Sequence, residues 1–562
     1  MDVQRRRRDP DELLLPLGGT ATRYRSRGTT QRIVLVLLCV FAGMMVVLGA
    51  AAVLGRRAEG LATDADVGAD TGTDAVTTTS VHAHTRKEKD RRDPVVITNL
   101  AVADLQDGDD DDPYEDETTA ARRAAVRAAF NFSLSHYIAR ALGADEVRPV
   151  SGTAFNDLNY ACTLTDAMST ALVMGLDAEY RVLRDHVVSA RFDPFNRGKV
   201  SVFETTIRVL GGLASAHALT GGTDAALLAR ALDVFESLAP AFATRSGVPE
   251  PWVHIEHGRV RAAGHGTTSL AECGTLQLEL AYLTAATGDT RYRDTGLRIV
   301  RTLVAHNPRR DGLFPDTVAV RTGTLAGAVH VGARADSFYE YLVKMHALYR
   351  HAHRGTDQGI AAHYARLAGA ALPSLLRLER RSARGHAFLS DEHLGCFVGG
   401  MFALAARTLE DTDAATRDTY LRAAERYTEG CYMAYATSPT GLAADTFALN
   451  DPAGNLAATG RAFILRPEAI ESIFYLWRVT HNPRYREWGW TMFQAIERSL
   501  RREYGYTGLH NAQDLATQND HQQSWFLGET LKYFYLLFSS DNLIPLDRYV
   551  FNTEAHPLPI IT

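Results

Sequence analysis

The chain has 562 residues and 46% hydrophobic content, enough to bury one large core with appendages. Its formal net charge of −6 lacks the basic footprint of a nucleic-acid binder, so no nucleic-acid partner is expected. The first element along the chain is the uncharged stretch Ile33 to Gly55, which is long enough to cross a hydrocarbon core of ~30 Å as one helix. A cleaved signal peptide usually has an apolar core of only ~7–15 residues. Arg5 to Arg8, Arg23, Arg25, Arg27 and Arg32 precede the stretch, and only Arg56 and Arg57 follow it closely. The positive-inside rule therefore predicts a cytosolic basic tail (1–32), a transmembrane signal anchor (33–55) and a lumenal remainder.

Residues 56–118 are rich in Ala, Thr, Asp and Gly and end near the run Asp109 to Asp112. Too little apolar surface is present to offset the entropy of ordering, so a disordered acidic stalk is predicted. From 119 to 562 the pattern is helical. Leu531, Phe534, Tyr535 and Phe538 form a 3-4 stripe, as do Leu276, Leu280 and Leu283. Breakers at Thr220–Asp224, Thr287–Asp289 and Thr480–Pro483 each separate two helical patterns. The last two precede similar text, Arg291-Tyr292-Arg293-Asp294 and Arg484-Tyr485-Arg486-Glu487, which points to repeated helical hairpins. Such hairpins close into a toroid or stack into an open superhelix, and periodicity does not distinguish the two.

Beyond Cys39, which lies in the apolar stretch, Cys162, Cys273, Cys396 and Cys431 form an even set that permits two disulfides in an oxidising lumen. Asn131-Phe132-Ser133 is an N-glycosylation sequon inside a helical stretch.

The chemistry-bearing residues sit on helices. Glu204 and Arg208 are four apart among apolar neighbours, which suits either a surface ion pair or a pair lining a cleft. Arg334 and Asp336 lie at a predicted helix start, where Asp336 either caps the helix or faces a site. Pro467 favours a helical first turn and places Glu468 and Glu471 near the positive end of the helix dipole, where a base stays ionised. Trp525 and Glu529 are one turn apart, a suitable pairing for the apolar face and hydroxyls of a sugar. Abundant acid, with no Ser-His-Asp motif, phosphate loop or His-rich motif, favours carboxylate chemistry of the glycosidase kind.

Seven colinear segments carry a resemblance to the class I α-1,2-mannosidases, glycoside hydrolase family 47. They are Phe203–Arg208, Leu270–Leu276, Ala333–Tyr341, His393–Phe397, Leu465–Glu468, Phe526–Tyr533 and Asn552–Pro557. The resemblance implies an all-α fold, an α/α barrel of seven helix pairs plugged by a C-terminal β-hairpin. It implies a calcium-dependent, inverting exo-α-1,2-mannosidase that trims high-mannose N-glycans on glycoproteins, with a monomeric catalytic domain. Thr553 would supply the protein's ligands to Ca2+, whose oxygen-only shell suits a hard cation.

By the same resemblance, Glu204 is the acid acting through a water, Asp336 is its competitor, and Glu468 is the base. Arg208, Glu272, Arg334, His393, Arg466, Glu471, Trp525 and Glu529 would line the pocket, and Cys396 would pair with Cys431. Gln522–Ser524, Gly399–Leu404 and Leu476–Arg478 resemble the Golgi enzymes, whereas Arg334 is the residue associated with the endoplasmic-reticulum enzyme. A Golgi membrane location is expected, with the endoplasmic reticulum as the alternative. Ser169 and Glu392 depart from the family pattern, where aspartate, and aspartate or glycine, are usual. A mannosidase-like glycan-recognition protein, acting in degradation of misfolded glycoproteins, is the alternative function.

Overall fold

The computed structural model describes residues 99, 101–102, 113–189, 198–256, 259–262, 266–352, 355–409, 412–451, 456 and 462–562. The expected tail, the apolar stretch and most of the stalk lie outside these residues. The described residues all belong to one compact unit, Arg91–Thr562. Ala101, within the expected stalk, bridges Thr220, and Val102 is buried.

The helices are α1 (Glu117–Ala141), α2 (Cys162–Val173), α3 (Asp177–Val188) and α4, which is built from Val202–Glu204, a π-helical Thr205–Leu210 and Gly211–Leu219. There follow α5 (Ala225–Leu238), the short α6 (Leu270–Gly274), α7 (Gln277–Thr287), α8 (Arg291–His306), α9 (Asp336–Tyr349) and α10 (Gly355–Leu375). The last are α11 (Val398–Thr408), α12 (Ala414–Ala436), α13 (Glu468–Thr480), α14 (Arg484–Leu500) and α15, a π-helical Phe526–Thr530 continued by Leu531–Leu537.

Seven of them, α2, α4, α7, α9, α11, α13 and α15, pack each on the next, and α15 returns to α2. The ring is closed, so the toroid rather than the superhelix is formed. Outside it, α3, α5, α8, α10, α12, α14 and α1 back the seven inner helices one by one. Burial follows this two-layer plan. Every residue of α2 and of Leu531–Leu537 is buried, as an inner helix requires. The outer α8 buries Tyr292, Gly296, Leu297, Val300 and Leu303 at helical spacing and exposes its arginine-rich face.

The repeated text has a structural reason. Arg291-Tyr292 and Arg484-Tyr485 both open outer helices, each arginine standing 4.7 Å over its neighbour's ring while the tyrosine is buried.

Two small antiparallel sheets flank the mouth of the ring. One pairs β1 (Gly198–Ser201), β2 (Trp252–Glu256) and β3 (Arg259–Ala262). The other pairs β4 (Thr267–Ser269), β5 (Thr317–Ala319) and β6 (Leu325–Ala326). A C-terminal hairpin, β7 (Tyr549–Phe551) and β8 (Pro557–Pro559), fills the ring, with β7 against α9 and β8 against α4 and α7. Ile561 N donates to Leu348 O, whereas Thr553 at the hairpin tip reaches Glu340. The tip is thus about 12 Å further toward the N-terminus of α9, at the 1.5 Å rise of a helix.

Cys396 and Cys431 form a disulfide, and Cys162 and Cys273 are free and buried. Ser133 of the sequon is fully buried and donates to Gln522, while Asn131 is half-buried within α1.

Candidate active site

The N-terminal ends of the inner helices and the hairpin tip enclose a cavity of about 530 Å³. Its wall includes Glu204, Arg208, Glu272, Arg334, Asp336, Arg466, Glu468, Glu471, Trp525, Glu529 and Thr553. Every expected catalytic, sugar-binding and metal-binding residue except His393 therefore faces one space. His393 is a correction. It is buried behind the wall, because its two ring nitrogens are taken by Glu468 Oε2 at 3.0 Å and Tyr435 Oη at 2.7 Å.

Asp336 and Glu468 are the first residues of α9 and α13, so both carboxyls sit at positive helix ends. Their surroundings push them apart. Burial works against the charged form of Glu468, but the His393 hydrogen bond and the Arg466 guanidinium outweigh it and hold its carboxyl below the usual range. Burial pushes Asp336 up to about 7, with the Glu340, Glu468 and Glu392 charges adding to it against the Ser337 N–H. Asp336 Oδ1 accepts that N–H at 2.9 Å but caps no helix, since Ala335 holds the cap position, so of the two readings the site-facing one fits.

Glu204 ends the first turn of α4, and its Oε2 accepts from Arg208 Nε at 2.8 Å. Arg208 also pairs with Glu554 and lies 3.3 Å from Asp166. A buried cation shared by three carboxylates is held tightly in place. The adjoining π-helical segments, one following Glu204 and one carrying Glu529, are local widenings of the kind that re-aim side chains at functional sites.

Arg466 follows Leu465, whose φ of +63° is costly for a branched side chain. Thr530 Oγ1 donates to Leu465 O, and Trp525 Nε1 donates to Ile464 O, so this bend is fastened from α15. Arg466 reaches Asp445 at 2.5 Å and Glu468 at 3.5 Å. The guanidiniums of Arg208 and Arg466 both stand over the Trp525 ring, 5.5 and 5.8 Å from its centroid. Glu272 shares its carboxylate with a capping box, accepting from Ser269 N at 2.9 Å.

The floor holds residues that the motifs contained but spacing did not single out. Glu340 lies one turn after Asp336, accepts from Thr553 Oγ1 at 2.9 Å and pairs with Lys344. Lys344 also lies 3.4 Å from Glu471, yet burial still pushes Glu471 up to about 8. Among the described residues neither Asp336 nor Glu529 has an ion-pair partner. Glu529 is pushed well above the carboxylate range by burial and by the charges of Glu554, Glu468 and Glu471. Below the tip, Lys532 donates to Ala555 O at 2.6 Å and to Ser169 Oγ at 2.9 Å, and Ser169 Oγ lies 3.0 Å from His556 Nδ1.

A closed ring of paired helices with carboxylates gathered at one end is thus in hand. The sequence model of Glycosyl hydrolase family 47 matches residues 129–560. The chain belongs to that family.

Relatives of this family 47 hydrolase include mannosyl-oligosaccharide alpha-1,2-mannosidase IA of Drosophila melanogaster, 37% identical, covering 79% of this chain and 68% of that protein. Mannosyl-oligosaccharide 1,2-alpha-mannosidase IB of Homo sapiens is 36% identical, over 84% and 74% of the two chains. Among solved structures, the alpha-1,2-mannosidase from Trichoderma reesei superposes with a TM-score of 0.70 at 29% identity, covering 78% of this family 47 chain and 99% of that one.

Proposed function

We propose that this glycoside hydrolase removes terminal α-1,2-linked mannose from high-mannose N-glycans, with inversion at the anomeric carbon. The observation that carries the reading is one cavity that gathers carboxyls in opposed surroundings, Glu468 held below the usual range by His393 and Arg466 and Asp336 pushed above it by burial. Glu468, kept as a carboxylate by His393 and Arg466, takes a proton from the attacking water. That water forms the new bond to the anomeric carbon as the bond to the glycosidic oxygen breaks.

The departing oxygen needs a proton from the opposite face of the sugar. The Glu468 charge bears on Asp336, whereas Glu204 belongs to the separate Arg208–Asp166–Glu554 network. Glu204 therefore delivers the proton through a bridging water, and Asp336 remains the competing donor. Arg208 and Arg466 stand over Trp525 and give the sugar hydroxyls fixed donors.

The donor set fits a hard divalent cation. Among the described residues no three His, Cys, Asp or Glu side chains converge to ligate an ion directly. The carboxyls of Glu340, Glu471 and Glu529 crowd the floor beside the Thr553 hydroxyl, and burial with mutual repulsion pushes the last two upward, a repulsion that a bound cation would relieve. Thr553, through its hydroxyl and carbonyl, would hold Ca2+, with Glu340, Glu471 and Glu529 reached through water. When bound, the ion would supply charge compensation and fix the sugar's hydroxyls.

The placement proposed for the enzyme is a type II membrane protein with a lumenal catalytic domain, in the Golgi. The apolar stretch 33–55 and the Cys396–Cys431 disulfide support an oxidising lumen. The chemistry is tested by following α-1,2-mannobiose cleavage by proton NMR. Release of β-mannose as the first anomer supports the scheme, and first release of α-mannose rejects it.

A further inference from the structure

Two consecutive residues brace the two catalytic elements from behind. His393 meets Glu468, and Glu392 Oε2 accepts the Ala333 N–H at 2.6 Å. Ala333 belongs to the turn that enters α9, and the turn is strained. Arg334 has a φ of +85°, a region long side chains rarely adopt, while Ala335 N and Asp336 N both donate to Gly332 O at 3.1 Å.

The two segments touch closely at Gly332, where a Cβ would press on Glu392 Oε2 and push the carboxylate aside. The far end of the turn is also fastened, since Gly332 N donates to His330 Nδ1 at 3.1 Å and His330 Nε2 lies 3.2 Å from Asp316. The outcome is a fixed course for Arg334, whose Nη2 donates to Thr317 Oγ1 at 3.1 Å with its side chain 56% exposed at the cavity wall.

We propose that Glu392 is a positioning residue: its carboxylate locks the Gly332–Ala335 turn and so sets where Arg334 meets the glycan beyond the terminal mannose. The inference rests on the mannosidase reading above. Without the acceptor, the Ala333 N–H is unpaired and the turn relaxes toward an ordinary φ, which carries Arg334 away from Thr317. Glutamine keeps a carbonyl oxygen in the acceptor's place, so the hydrogen bond and not the charge is what matters.

The test compares wild type, E392A, E392Q, R334A and R334A/E392A on a nine-mannose glycan and on α-1,2-mannobiose. E392A is expected to raise KM for the glycan about tenfold, the upper end of the loss that follows removal of one hydrogen bond, with a smaller change in kcat. E392Q restores most of that KM, and E392A adds little in the R334A background, because the two act in one pathway. The proposal is overturned if E392Q raises KM as far as R334A does. It is equally overturned if E392A matches wild type or adds its full factor to R334A. Wild type that leaves α-1,2-mannobiose intact removes the mannosidase reading itself, a result separate from any of these. Should E392A not fold, the comparison of E392Q with R334A still decides.

Discussion

His393 stands behind Glu468, its Nδ1 3.0 Å from the carboxylate and its Nε2 2.7 Å from Tyr435 Oη. The proposed base is thereby oriented, and the hydrogen bond opposes the burial that would otherwise push its carboxyl up. His393→Leu removes the counterweight to burial. A carboxyl whose folded pKa is depressed loses its charge as pH falls through that value, so raising the value moves the loss to higher pH. The acid limb of kcat/KM is expected to shift upward, read from a pH–rate profile against wild type.

Glu468→Gln is expected to abolish turnover by at least about a thousandfold, the scale of losing a general base and its orientation of water. Circular dichroism and thermal unfolding should stay close to wild type. Near-normal turnover would reject Glu468 as base.

Glu204 and Asp336 separate on a substrate whose leaving group needs no proton. α-Mannosyl fluoride is expected to rescue Glu204→Gln to a far greater degree than Asp336→Asn. Rescue of the aspartate variant instead would assign the proton to Asp336.

These roles were unevenly legible in the sequence. Glu204 and Arg208 are a local pair that helical spacing puts on one face, and Pro467 marks the helix start that carries Glu468. The closed ring was not legible from periodicity, because hydrophobic stripes are the same in toroids and superhelices. Contacts such as His393 with Glu468, Thr553 with Glu340 and Arg208 with Glu554 join residues 75, 213 and 346 positions apart. No spacing rule reaches that far. The resemblance, not spacing, puts His393 in the pocket, whereas it stands behind the wall against Glu468, and Glu340 and Glu554 are unremarked acids within the recognised motifs.

The disulfide anchors the His393 loop to α12 by closing a span of 35 residues. Cys431→Ser is expected to cost roughly 3–4 kcal/mol of stability on the loop-closure scale. Denaturant unfolding reads this directly, and an unchanged midpoint would show that the bridge is dispensable.

Thr553→Ala removes the hydroxyl at the hairpin tip. Its activity is expected to need far more calcium than wild type, measured by titrating the ion back after chelation. An unchanged titration would exclude the Thr553 hydroxyl as a ligand.

The central claim is put most directly to the test by a time course of the purified protein on a nine-mannose N-glycan, with calcium and with chelator. The account predicts stepwise loss of α-1,2-linked mannose that the chelator stops. Binding of the glycan with no mannose released under either condition would contradict it and leave a glycan-recognition protein in its place.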